Sequence, residues 1–203
     1  MFRRLRLQFI TIASLAILFI LVSTVGIINT VRSFQTEQEI SKVLNTLTEN
    51  NGSFGKTKKI ETNQGREIPS DSFRFFSVTL SGDEVVSQDT SHTSLINDEE
   101  AATYARAASR MTGTLGTIRE KNINLSYQVS KVSKNKILVV FLDTTSYYNS
   151  SQALLSLSIL LSMFGFIFFV IIVSALSGIV IRPFIRNYEK QRRFITNAGH
   201  ELK

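Results

Sequence analysis

The chain has 203 residues, of which 43% are hydrophobic and only 19% charged, an apolar balance for a soluble protein. Twenty-five uncharged residues lie between Arg6 and Arg32 and 38 more between Asp143 and Arg182, which excludes a single large soluble enzyme. The net charge of +7 is not a nucleic-acid signature, because the 14 Lys and Arg of residues 32–152 are matched by 14 Asp and Glu.

The excess charge sits at the ends. Arg3, Arg4 and Arg6 precede the first apolar block, and six basic against two acidic residues follow the second from Arg182 onward. Basic residues flanking apolar blocks mark loops kept in the cytoplasm. The expected layout is a cytoplasmic start over 1–8, a transmembrane helix over 9–31, and an extracytoplasmic domain over 32–152. A second transmembrane helix over 153–181 and a cytoplasmic tail over 182–203 complete it, placing the chain in the cell membrane, in contact with the lipid bilayer and without nucleic acid as a partner.

Phe9–Ile28 supplies 20 residues for the first span, about 30 Å as a helix. That exceeds the apolar core of a signal peptide, and no A-x-A cleavage site follows. The second block, Leu154–Ile181, is longer than a span requires, so it tilts or starts in the interface beside Tyr147 and Tyr148. Neither block holds an ionisable residue, which argues against ion or proton transport. The absence of cysteine excludes a disulfide scaffold and a thiolate zinc site.

Between the blocks, Arg32–Asn50 is expected to continue the first helix, with Ile40, Val43, Leu44 and Leu47 on one face. Asn51–Ser72 is polar and read as loop, with a short strand around Lys59–Thr62. In FRFFSVTL, Phe76, Val78 and Leu80 alternate with Phe75, Ser77 and Thr79. The turn Ser81-Gly82-Asp83 and EVVSQDT follow, predicting a hairpin. Asn97 caps a helix over DEEAATYARAASRM, and Gly113-Thr-Leu-Gly116-Thr is read as a turn. INLSYQVSKV and KILVVFLDTT predict two further strands joined around Ser133–Asn135, the second nearly all apolar and therefore central. His92, the one histidine between the blocks, reads as a solvated loop residue with a ligand or pH-sensing role as the sharper alternative.

This order of helix, hairpin, helix and hairpin resembles the PAS-like (cache-type) extracytoplasmic sensor domains of bacterial receptors. The fold class expected is α+β: two transmembrane helices flanking such an antiparallel-sheet domain, followed by the start of a helical dimerisation and phosphoacceptor hairpin. The resemblance implies a small extracytoplasmic ligand held between sheet and helix, whose identity no residue specifies.

In the tail, Phe184, Tyr188, Gln191, Ile195, Ala198 and Leu202 are spaced 4, 3, 4, 3, 4, a heptad seam with one polar interruption. His200 lies off that seam, beside Glu201, and is expected to face solvent. The string FITNAGHELK resembles the phosphoacceptor box of sensor histidine kinases, F-x-x-N-A-S-H-E-L-K/R. Phe194, Asn197, Ala198, His200, Glu201, Leu202 and Lys203 fall on it, and Gly199 stands in place of the commoner Ser.

The resemblance implies a two-component system. His200 would accept the γ-phosphoryl group of ATP, with Glu201 as base or orienting group, and pass it to an aspartate of a response regulator. It also implies a homodimer and, in a complete kinase, ATP with Mg2+. The chain carries no ATP-binding domain, so it is expected to hold no cofactor and to be inactive alone. Only 17 residues separate Pro183 from His200, about 26 Å if helical, too little for the two-helix signalling module the family often inserts. The competing reading is a truncated, non-catalytic membrane receptor that binds a signal or modulates intact kinases. A chemoreceptor-like protein would need a much longer cytoplasmic coiled coil.

Overall fold

The computed structural model describes the backbone of residues 2–56, 59–61, 65, 67–120 and 123–201, and within these the side chains of residues 4–178. The fold is α+β: two long apolar helices, near the two ends of the chain, and a middle antiparallel sheet. The chain divides into two compact units, Thr30–Ala153 and a second made of Met1–Asn29 with Leu154–Lys203.

In the first of these units, helix α1 (Phe2–Glu49) ends, and Asn51 and Gly52 turn the chain through positive φ. Strands β1 (Lys59–Glu61) and β2 (Glu67–Pro69) form a small antiparallel pair, and a 3-10 turn over Ser70–Ser72 leads into the main sheet. That sheet contains β3 (Phe75–Ser81), β4 (Glu84–Asp89), β5 (Leu115–Glu120), β6 (Ile123–Ser133) and β7 (Lys136–Asp143). Helix α2 (Asp98–Arg110) separates β4 from β5. The strand order is β4-β3-β7-β6-β5, all antiparallel, so the first and last strands in sequence lie side by side at the centre.

Both faces of the sheet are covered, which explains the unbroken apolar run of β7. On one face, Ile40, Val43, Leu44 and Leu47 of α1 pack with Phe54, Phe73, Phe75, Leu138, Val140 and Leu142. On the other, Ala101, Ala105 and Ala108 of α2 meet Phe76, Val78, Leu80, Val139 and Phe141, with the Phe76 and Phe141 rings stacked at 4.6 Å. Small alanines let α2 lie close to the bulky strand residues. Its start is fixed by a capping box: Glu100 N donates to Asn97 Oδ1 at 2.8 Å, and Asn97 N donates to Glu100 Oε2 at 3.1 Å.

The predicted helical continuation of α1, the β3–β4 hairpin, the capped α2 and the β6–β7 hairpin are present. Three expectations need correction. Residues Leu115–Thr117 are not turn but the start of edge strand β5, giving a fifth strand. The segment Asn51–Ser72 contains β2 as well as β1. The last strand stops at Asp143, and Thr145 already belongs to helix α3 (Thr145–Glu201). The physical reason for the first miss is Tyr127: its ring lies across Gly116, where a Cβ would overlap it, so this glycine marks a close approach rather than a bend.

In the other unit, α1 and α3 supply helices long and apolar enough to cross a membrane. Large apolar side chains such as Phe19, Leu161 and Phe168 point outward, 65% or more exposed, a surface that water does not favour. Arg6 joins the two helices: its guanidinium donates from Nε to Ser177 Oγ and from Nη2 to the Ser174 carbonyl, both at 2.8 Å.

Candidate functional site

Three places are candidates for function. The first is the box predicted from sequence. Helix α3 runs without interruption through His200 and Glu201. The side chains of these two residues, and the seam from Phe184 to Leu202, lie outside the described residues, so the solvent-facing orientation expected of His200 does too.

The second place is the loop from Thr90 to Asn97. Asp89 Oδ1 accepts from Ser91 Oγ at 2.6 Å and from Ser91 N at 3.0 Å. These bonds hold the Asp89 carboxyl below the usual carboxylate range, and the charge of His92 adds to the effect. His92 is exposed, yet its ring stacks on the buried Phe75 at 4.4 Å and 16° between planes, so it is more than a free solvated side chain. The loop then crosses to the opposite face of the sheet, where Ile96 is buried with Phe76. Here Thr93, Leu95 and Ile96 close a narrow cleft against Arg74, Phe76, Ile123, Leu125 and Asp143. The cleft is mostly apolar, with one cation and one anion among its lining residues, and it has no interior space for a water molecule. Among the described residues, no three His, Asp or Glu side chains converge to hold a metal ion.

The third place is the passage from β7 into α3, which sequence reasoning missed. Thr144 is fully buried and precedes the first helical residue. Its hydroxyl does not cap its own helix but turns to the sheet, donating to the Asn124 carbonyl at 3.0 Å and lying 3.1 Å from Ser126 Oγ. Thr144 N donates to the same carbonyl at 2.8 Å, and Asn124 N donates to Thr145 Oγ1 at 3.0 Å. Asp143 Oδ1 takes the Thr145 N–H at 2.9 Å, and the Thr144 carbonyl takes the Tyr148 N–H at 3.1 Å. Arg119 of β5 stands over the Tyr148 ring at 5.1 Å. Tyr147 donates to Glu39 Oε1 of α1 at 3.1 Å. The first turn of α3 is thus fastened to β5, to β6 and to α1. The signal available in the sequence was the Asp143-Thr144-Thr145 run after an apolar strand, a helix-start pattern read there as strand.

Comparison with known protein families and with curated proteins gives no match to this chain.

Proposed function

We propose that the chain is the sensory and transmembrane part of a two-component sensor histidine kinase. Residues 9–31 and 153–181 cross the cell membrane, both termini face the cytoplasm, and residues 32–152 form the outer sensor. Two helices of sufficient length and apolarity support the membrane placement, and the basic residues at both ends support the orientation.

The outer unit reads as a PAS-like (cache-type) domain. Its five-stranded antiparallel sheet, with β3 and β7 central, α1 on one face and α2 on the other, supports this. An extracytoplasmic signal acts on this unit, and the closed apolar cleft beside the Thr90–Asn97 loop, with Arg74 and Asp143 among its lining residues, is where a change of packing registers it.

The observation that carries the reading is the continuity of α3. One helix of 57 residues leads from the last strand of the sheet, through the apolar segment, to the histidine of the FITNAGHELK box. A rigid helix converts displacement at its outer end into rotation or translation at its inner end. In the complete kinase, ATP and Mg2+ are held by an ATP-binding domain, and the paired acceptor helices form a homodimeric hairpin bundle. The Nε2 of His200 attacks the γ-phosphorus, the N–P bond forms as the bond to the bridging oxygen breaks, and ADP leaves. Glu201 orients the ring and takes up its proton. The phosphoryl group then passes to an aspartate of a response regulator.

The test is to incubate the chain with a separately supplied kinase ATP-binding domain and γ-labelled ATP. Acid-labile label on the wild-type chain and none on His200→Gln supports the assignment. Equal labelling of both, or of neither while a known acceptor helix is labelled by the same domain, refutes it and favours a non-catalytic membrane receptor.

A further inference from the structure

The cleft and the start of α3 occupy opposite faces of the same strand segments. Side chains alternate along a strand, so neighbours in sequence face opposite ways. On β6, Ile123 and Leu125 line the cleft, while the Ser126 side chain meets Thr144 on the other face and the backbone carbonyl and N–H of Asn124 bond Thr144 and Thr145. At the end of β7, Asp143 lines the cleft, and the next residue, Thr144, is buried in the joint. Asp143 serves both: its carboxylate borders the cleft and also accepts the N–H of Thr145.

The joint is unusual in what it buries. Ser126 and Thr144 are hydroxyl residues with 3% and 0% exposure amid apolar neighbours, and both are partnered: they meet each other, Thr144 donates to the Asn124 carbonyl, and Ser126 Oγ also lies 3.4 Å from Thr117 Oγ1. A buried hydroxyl network that is fully partnered fixes one arrangement, because any displacement leaves polar atoms without partners. Such a network fits a part that switches between discrete positions better than one that yields gradually.

We infer that the Asn124–Ser126–Thr144–Thr145 joint is the coupling element of the sensor: a change in the packing of the cleft moves β6 and β7 and is handed through this joint to the first turn of α3. The inference deepens the sensor reading proposed above, since it names how that sensor controls its output helix. Thr144 is a positioning residue in this scheme. Its hydroxyl sets the seating of α3, and Ile123 on the far face is the contact through which the cleft acts on it.

The test reads hydrogen exchange at the amides of Asn124, Thr144 and Tyr148 in the full chain in lipid nanodiscs, with Val139 and Phe141 reporting the sheet core. Thr144→Val raises exchange at the three joint amides by about tenfold and leaves the core amides unchanged. Thr144→Ser, which keeps the hydroxyl, exchanges like wild type. Ile123→Ala, at the cleft, raises exchange at Tyr148 by roughly threefold in wild type and adds nothing in the Thr144→Val background. Equal exchange in wild type and Thr144→Val overturns the inference. So does raised exchange in Thr144→Ser, or an effect of Ile123→Ala that simply adds to that of Thr144→Val. Should Thr144→Val loosen the core amides as well, Thr145→Ala, which removes only the acceptor for Asn124 N, takes its place with the same expectations. Exchange is read without ATP, so failure of His200 to take label would end the kinase assignment and leave this result standing.

Discussion

Gly116 shows how one residue is misread when only the chain is in view. A glycine after Gly113 suggests a turn, yet its missing side chain is space for the Tyr127 ring, whose hydroxyl reaches Met111 Sδ at 3.0 Å. Gly116→Ala is therefore expected to destabilise the unit Thr30–Ala153 by about 1–3 kcal/mol, measured as a lowered denaturant midpoint, because the Tyr127 ring must move. Tyr104 makes a pH prediction. Its hydroxyl donates to Glu120 Oε2 at 2.6 Å, and this bond, aided by burial, raises the phenol from 10.0 to about 12. A group with a pKa higher in the folded state stabilises the fold fully below its unfolded value and loses that contribution as pH rises through the folded one. Alkaline unfolding between pH 10 and about 12 should thus be less steep in Tyr104→Phe, and the phenolate absorbance of wild type should show a tyrosine that titrates late. His92 and Thr144 illustrate the limit of reading residues singly. Stacking on Phe75 and bonding to Asn124 are contacts between segments far apart in sequence, and no local pattern encodes them.

At the scale of elements, local signals and observed structure agree where the period is clear. The Ile40, Val43, Leu44 and Leu47 face of α1 is buried, and β7 is the fully covered central strand its composition implied. The helix α2 was legible from Asn97 and its acidic first turn. Asn97→Ala should cost about 1 kcal/mol, read by thermal melting of the unit Thr30–Ala153, since Glu100 N loses its acceptor. The short β1 was expected around Lys59–Thr62, but its partner β2 and the edge strand β5 were not legible, because each depends on a partner strand rather than on its own alternation: β5 buries no residue fully. The boundary between β7 and α3 was misplaced by two residues for a related reason. Thr144 and Thr145 favour strands by type, but the Asn124 N–H bonds the Thr145 hydroxyl in place of a strand carbonyl, and Asp143 Oδ1 takes the Thr145 N–H.

At the scale of the molecule, the two apolar helices were legible from hydropathy and charge alone, since long uncharged runs have few soluble uses, and the middle antiparallel sheet from strand patterns and the turns between them. The contacts behind the proposed coupling were not, because they form a buried hydroxyl cluster between residues far apart in sequence. The absence of cysteine offers a direct check of the proposed topology. A single cysteine replacing Ser91 should react with a membrane-impermeant maleimide from outside intact cells. One replacing Lys190 should react only after the cells are opened. The same reagent reaching position 190 first would invert the arrangement.

The central claim is that α3 transmits as a rigid helix from the outer sheet to His200. It is tested most directly by inserting one to seven residues after Arg186 in the complete kinase and measuring phosphate on His200. Two added residues turn His200 by about 200° relative to the helix above, and seven nearly restore its phase. The account predicts phosphorylation that rises and falls with the helical period, disrupted at two residues and recovered at seven. Phosphorylation that is flat, or that declines steadily with insertion length, would contradict it.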